Sequence, residues 1–191
     1  MIIDELTVGM VQTRCYILSP EDGQECIVID PGDESARILK AVGNRKIAAI
    51  LLTHGHFDHI GAVNALYRHA AADERPKIVI HELDAPMLTN PVLNAGMGLM
   101  GREITAPQAT DLVREGDELS LAGLIIRVLH TPGHTPGSVC YLIEGELFTG
   151  DTLFDYSWGR TDLPGGNEAQ MEDSLRRLMP MVRSIPMHAG H

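Results

Sequence analysis

This 191-residue chain predicts a layered α/β fold, and three observations carry that prediction. Short apolar runs of strand length recur along it, segments with helical periodicity fall between them in both halves, and several of the runs close on His or Asp. In layered α/β folds, catalytic groups gather in loops beyond the carboxyl ends of strands, so polar strand endings mark one functional face.

Taken in order, residues 25–30 form a strand that closes on Asp30 and the turn Asp30-Pro31-Gly32-Asp33, and Ser35–Val42 reads as the first helix. The continuous apolar segment Ala48-Ala49-Ile50-Leu51-Leu52-Thr53 suits a buried strand over 48–54, and residues 60–71 repeat apolar side chains at helical spacing. Lys77–His81 is the next strand. Residues 87–109, with Pro91, Asn94, several glycines and methionines and weak periodicity, read either as a long excursion able to cover a pocket or as a loose helical connection packed with Met. Strands are expected over Leu124–His130, 138–143 and 147–151, a helix over Glu168–Leu178 stopped by Pro180, and a final strand over 183–188.

Size and composition suit one soluble globular domain over residues 1–191, with 44% apolar and 21% charged residues. No apolar run approaches the roughly 18 residues of a membrane span, and the N-terminus lacks the basic start and apolar stretch of a signal peptide, so a cytoplasmic protein is expected. Cys15, Cys26 and Cys140 are widely spaced in apolar segments and read as buried thiols. A formal charge of −11 with scattered basic residues argues against nucleic acid as a partner. Nothing in the sequence bears on oligomeric state.

The run Thr53-His54-Gly55-His56-Phe57-Asp58-His59-Ile60-Gly61 carries the chemistry. Three imidazoles and a carboxylate within six positions, on a loop between a strand and a helix, suit Zn²⁺, and the run has enough ligands to seed two sites. Further candidates lie at strand ends: His134 between two Thr-Pro-Gly turns, Asp151 after Leu147-Phe148-Thr149-Gly150, and His188 after Ile185-Pro186-Met187.

Together these motifs resemble the metallo-β-lactamase superfamily: His-x-His-x-Asp-His, then Pro-Gly-His-Thr-Pro-Gly, Thr-Gly-Asp and a terminal Pro-x-His. The chain looks most like the short glyoxalase II-like hydrolases, which carry a segment like Gly159-Arg160-Thr161-Asp162-Leu163-Pro164-Gly165-Gly166. The resemblance implies a four-layer αββα sandwich with two divalent metal ions at one edge, Zn²⁺ foremost and Fe or Mn as alternatives. It implies His54, His56 and His134 on one metal, Asp58, His59 and His188 on the other, and Asp151 bridging them, with Asp58 and Asp151 as catalytic residues. Asp30 would support the ligands from behind, and Arg160 is placed to hold a substrate carboxylate or to bridge to Asp162. His81 and His130 match no motif and are expected to be structural. The terminal segment departs from the usual Pro-Gly-His-Gly: counting from Pro186 favours His188, yet Gly190-His191 also resembles its Gly-His fragment. A ligand near a strand end is better held than one at a free terminus, which again favours His188. Relatives usually continue beyond this point, so a C-terminal truncation is also expected.

The chemistry implied is hydrolysis of a thioester such as S-lactoylglutathione by a metal-bridging hydroxide, since metal-bound water has its pKa lowered to roughly 7. A thiolate leaving group with a pKa of about 8.5 departs without a dedicated general acid. The alternatives are a mononuclear iron persulfide dioxygenase using His54, His134 and Asp151, and a phosphodiesterase or nuclease, which the acidic charge opposes.

Overall fold

The computed structural model describes residues 1–21 and 23–191. A hairpin of β1 (Ile2–Val8) and β2 (Thr13–Ser19) continues antiparallel into β3 (Glu25–Ile29), and β4 (Lys46–Leu51), β5 (Lys77–His81) and β6 (Asp111–Val113) follow in parallel. These make a six-stranded sheet in sequence order. The second sheet runs through β7 (Glu118–Leu121), β8 (Leu124–His130), β9 (Val139–Ile143) and β10 (Glu146–Gly150) by antiparallel pairing, and closes with β11 (Met187–Ala189) parallel to β10.

The period of two along each strand sets the layers. In the first sheet Cys15, Ile17, Cys26, Val28, Ile50, Ile78 and Ile80 face one way and pack on Ile38 and Val42 of α1 (Ser35–Val42). Ile60 of α2 (Phe57–Ile60) and Val63 and Leu66 of α3 (Val63–His69) complete that layer. The intervening residues Tyr16, Leu18, Ile27, Ile29, Leu51 and Val79 face the other way and meet Ile126, Val128, Tyr141 and Phe148 of the second sheet. Beyond that sheet, Leu129, Cys140 and Leu147 pack on Leu178; a short α4 (Gly96–Met100) precedes β6, and Leu178 ends α5 (Glu168–Leu178). The result is the αββα sandwich, and each fully buried aliphatic side chain contributes about 1.5–3 kcal/mol to it. Two buried tyrosines tie the sheets across the middle: Tyr16 Oη–H donates to the Ala189 carbonyl at 2.6 Å and Tyr141 Oη–H to the Leu52 carbonyl at 2.8 Å.

Two expected elements differ. The helix expected over 60–71 is two pieces, because Gly61 packs on the Pro31-Gly32 turn: a Cβ there would lie 2.2 Å from the Gly32 carbonyl oxygen, and Ala62 N–H donates to the Pro31 carbonyl at 2.9 Å. The strand expected over 183–188 begins only at Met187. Met181, Val182 and Ile185 are apolar, but they pack at helical spacing on the outer layer, with Val182 and Ile185 N–H bonded to the Leu178 and Met181 carbonyls.

Candidate functional site

The loop from Thr53 to His59 leaves β4, and its histidines are aimed by the groups behind them. Thr53 N–H and Oγ1–H donate to the two oxygens of buried Asp30 at 2.8 and 2.6 Å. With its proton committed, Thr53 Oγ1 accepts from His54 Nδ1 at 3.1 Å, which leaves His54 Nε2 an unprotonated lone pair with no hydrogen-bond partner. Asp30 Oδ2 also lies 3.0 Å from His59 Nδ1, turning His59 Nε2 toward Asp151 Oδ1 at 3.3 Å and Asp58 Oδ2 at 3.8 Å. His134 Nδ1 donates to the Arg160 carbonyl at 2.7 Å, so its Nε2 lone pair faces His56 Nδ1 at 2.9 Å and Asp151 Oδ2 at 3.5 Å. Asp30, His54, His56, His59 and His134 are all buried.

These atoms form trios whose ligand atoms lie within 4.8 Å of one another: His54, His56 and His134; His54, His59 and Asp151; and Asp58, His59 and His191. Asp151 adjoins both ends, its Oδ2 being 3.5 Å from His134 Nε2 and 3.5 Å from His191 Nε2. Burial drives His54 well below the usual imidazole range, aided by His59 and His134, and pushes His56 down to about 3. Burial opposes charge on His59 too, yet Asp151, Asp30 and Asp58 outweigh it and raise that ring well above its ordinary value. Asp151 is held below the usual carboxylate range, with burial opposing and His59 prevailing. Neutral imidazoles at one end, carboxylates at the other and unpartnered buried atoms at His54 Nε2 and Asp151 Oδ1 fit divalent cations.

The expectation for His188 is corrected by this geometry. Its ring stacks on Phe148 at 4.7 Å and its Nε2 pairs with Glu146 at 2.9 Å, away from the cluster. His191 takes the place instead, with Nε2 3.4 Å from Asp58 Oδ2 and 3.4 Å from His59 Nε2. The terminus does not hang free: Gly190 N–H donates to the Gly150 carbonyl, the Gly190 carbonyl accepts from Arg14 N–H, and His191 Nδ1 pairs with the Val11 carbonyl at 3.0 Å. Gly190 must be glycine for this approach, because a Cβ there would lie 2.3 Å from Asp151 Oδ1.

Arg160 forms the two-pronged bridge to Asp162, at 2.6 and 2.7 Å, and serves the site through its backbone carbonyl. His81 and His130 stack on each other at 4.1 Å outside the trios. Met100 and residues 102–105 of the excursion form one wall of a cleft of about 420 Å³ that reaches Phe57 and Asp58.

Asp84 was not singled out by the sequence. It is fully buried and accepts from Gly55 N–H at 3.0 Å, Thr135 Oγ1–H at 2.6 Å and Gly137 N–H at 2.7 Å. Burial raises its pKa, and these bonds partly offset the shift. One carboxylate thereby ties the loop carrying His54 and His56 to the loop carrying His134. The only available signal was a lone acid after a strand-end histidine, which by itself reads as a turn cap.

The chain matches the family model described as the metallo-beta-lactamase superfamily over residues 8–184. It is 33% identical over 202 residues to the hydroxyacylglutathione hydrolase GloC of Haemophilus influenzae, spanning 100% of this chain and 91% of that protein. Among solved structures, the BLEG-1 B3 metallo-beta-lactamase superposes with a TM-score of 0.90 at 36% identity, covering 100% of this chain and 91% of the other. TTHA1623 in a di-iron-bound form gives 0.84 at 34% identity, with 98% and 91% covered. ETHE1 from Myxococcus xanthus gives 0.81 at 30% identity, with 100% and 76% covered.

Proposed function

The chain belongs to the metallo-β-lactamase superfamily as a metal-dependent hydrolase, and we propose that it cleaves a thioester of the hydroxyacylglutathione type at a two-metal centre. His54, His56 and His134 would hold one divalent cation, and Asp58, His59 and His191 the other, with Asp151 shared. The observation that carries this reading is the meeting of the two trios at Asp151. Cations bound there supply Lewis acidity and a water whose pKa falls to roughly 7.

The protein's own part is orientation. The relay from His54 Nδ1–H through Thr53 to Asp30 fixes one ring, Asp30 Oδ2 lies 3.0 Å from His59 Nδ1, and the Arg160 carbonyl fixes His134, so the Nε2 atoms of these rings are aimed at the cluster by the groups behind them. The cleft beside Asp58 brings a substrate to the same point. A thiolate product needs no proton from the protein to depart, which matches a site whose acids are committed as ligands.

The likeness to GloC supports the thioester, and the likeness to ETHE1 together with the Gly159-Arg160-Thr161-Asp162 segment supports an iron dioxygenase as a second reading. The test is metal analysis followed by assays on S-lactoylglutathione, a β-lactam and a glutathione persulfide, the last with an oxygen electrode. Two metals per chain and thioester turnover without oxygen uptake are expected. One iron per chain with oxygen uptake on the persulfide would replace the proposal with the second reading, and turnover confined to the β-lactam would overturn both.

A further inference from the structure

Cations are scarce in this protein, with 15 Lys and Arg against 26 Asp and Glu, and most of them are neutralised at once. Arg14 lies between Glu5 and Asp155, Arg45 pairs with Asp4, Arg160 with Asp162 and Arg177 with Glu115. Arg68, Arg75 and Arg102 make no salt bridge among the described residues, and all three line one continuous depression. Its near part is the cleft at Asp58, with Arg102 in the wall. Its far part, about 430 Å³, shares Asn64 and Thr105 with the near part and is lined by Arg68 and Arg75. Asp33, Asp58 and Glu103 line the near part, whereas no acid lines the far one.

We propose that Arg68 and Arg75, with Arg102 on the approach, seat an anionic group, phosphate or carboxylate, carried by the thiol half of the substrate. The inference rests on the thioester reading and adds the class of thiol to it. Arg75 is braced over the Tyr67 ring, 5.0 Å from its centroid, so its guanidinium is positioned without an acid consuming its donors. Asn64 and Arg68 are four apart on α3 and therefore share a face. His59 lies in α2 and Arg68 in α3, two pieces broken at Gly61, and the near part of the depression runs from Asp58 to Asn64 and Thr105, where the far part begins. A simple mercaptan carries no anionic group to reach past the near part, whereas a thiol of peptide or nucleotide type does. An unpaired, exposed guanidinium that meets an anion exchanges water for charge-assisted hydrogen bonds without first breaking an ion pair.

The test is calorimetric binding to the metal-loaded protein of two thioethers that cannot be hydrolysed, S-hexylglutathione and S-ethyl-coenzyme A. The first presents carboxylates and the second phosphates. At least one should bind with an affinity that falls as salt rises, and Arg68→Glu/Arg75→Glu should raise its Kd roughly tenfold or more, with Arg68→Gln/Arg75→Gln intermediate. Lys40→Glu/Arg183→Glu, an equal change of charge away from the depression, should leave Kd unchanged. The proposal is overturned if wild type binds neither thioether, if the Arg68/Arg75 variants bind like wild type, or if the Lys40/Arg183 variant loses as much. Binding in the expected pattern without thioester turnover would sink the hydrolase reading and leave the anion seat standing.

Discussion

Asp84 offers the sharpest quantitative test, because it touches no proposed ligand yet holds two ligand loops together. Asp84→Ala removes the acceptor for Gly55 N–H, Gly137 N–H and Thr135 Oγ1–H. The Thr135 hydroxyl can turn to Ser138 Oγ, 2.7 Å away, but both backbone N–H groups stay buried without a partner. Each costs about 1–3 kcal/mol, so the metal-stripped protein should lose about 2–6 kcal/mol. Asp84→Asn keeps one acceptor oxygen and should lose about half as much, which preserves the test where the Ala variant is too unstable to purify. With Gly55 and Thr135 released, the His54/His56 loop and the His134 loop no longer share an anchor, and metal affinity should fall about 10–100-fold. Urea denaturation of the metal-stripped proteins gives the first quantity, and competition with a calibrated chelator gives the second. A wild-type midpoint in Asp84→Ala would show that these loops are not held through the carboxylate. Lost stability with wild-type metal affinity would show that the anchor does not reach the ligands.

His191→Ala should lower bound metal from two per chain toward one, while His188→Ala should keep both and lose only about 1 kcal/mol of its stacking on Phe148; metal analysis after gel filtration distinguishes them, and the reverse pattern would restore His188. Arg160→Ala should retain full metal content and the wild-type Tm, because His134 is held by the main-chain carbonyl and the exposed bridge to Asp162 is screened by solvent. His81 is buried against His130, and its pKa is pushed down to about 4 by burial and by that neighbour. The unfolded chain takes up a proton there near the ordinary 6.5 while the folded ring stays neutral, so stability falls as pH drops from about 6.5 to 4. In metal-stripped protein, His81→Phe should flatten that part of the acid limb, and an unchanged slope in urea midpoints across pH would refute the assignment.

Lys77–His81 was legible because its apolar run is buried on both faces, and Leu124–His130 because its buried positions alternate with the exposed Ile125 and Arg127 before Val128 and Leu129; both appear with the expected bounds. The hairpin of β1 and β2 was not read, although Arg14 to Ser19 pairs in register with it, because β1 is an edge strand whose exposed side mixes acids with aliphatics. Residues 181–185 misled in the opposite sense. Their apolar content suggested a strand, and only the carbonyls of the preceding helix, which capture Val182 and Ile185 N–H, show a turn.

The candidate site divides along the same line. His54, His56, Asp58 and His59 lie within six residues, so local spacing alone brings them together, and Thr-Pro-Gly turns on both sides of His134 announce a fixed loop. The last imidazole depends on closure of the fold. β11 pairs parallel with β10 over Met187–Ala189, with a register shift between Phe148 and Gly150, so His188 falls beside Phe148 and the chain reaches Asp151 only at Gly190. From there the Val11 carbonyl, at the tip of the β1–β2 hairpin, holds the ring of His191 over Asp58. A one-residue change of register in a strand turns every side chain to the opposite face. Choosing between two histidines three residues apart therefore required the pairing partner of β11, and its nearest signal in the sequence was the glycine at 190 that lets the backbone pass against Asp151.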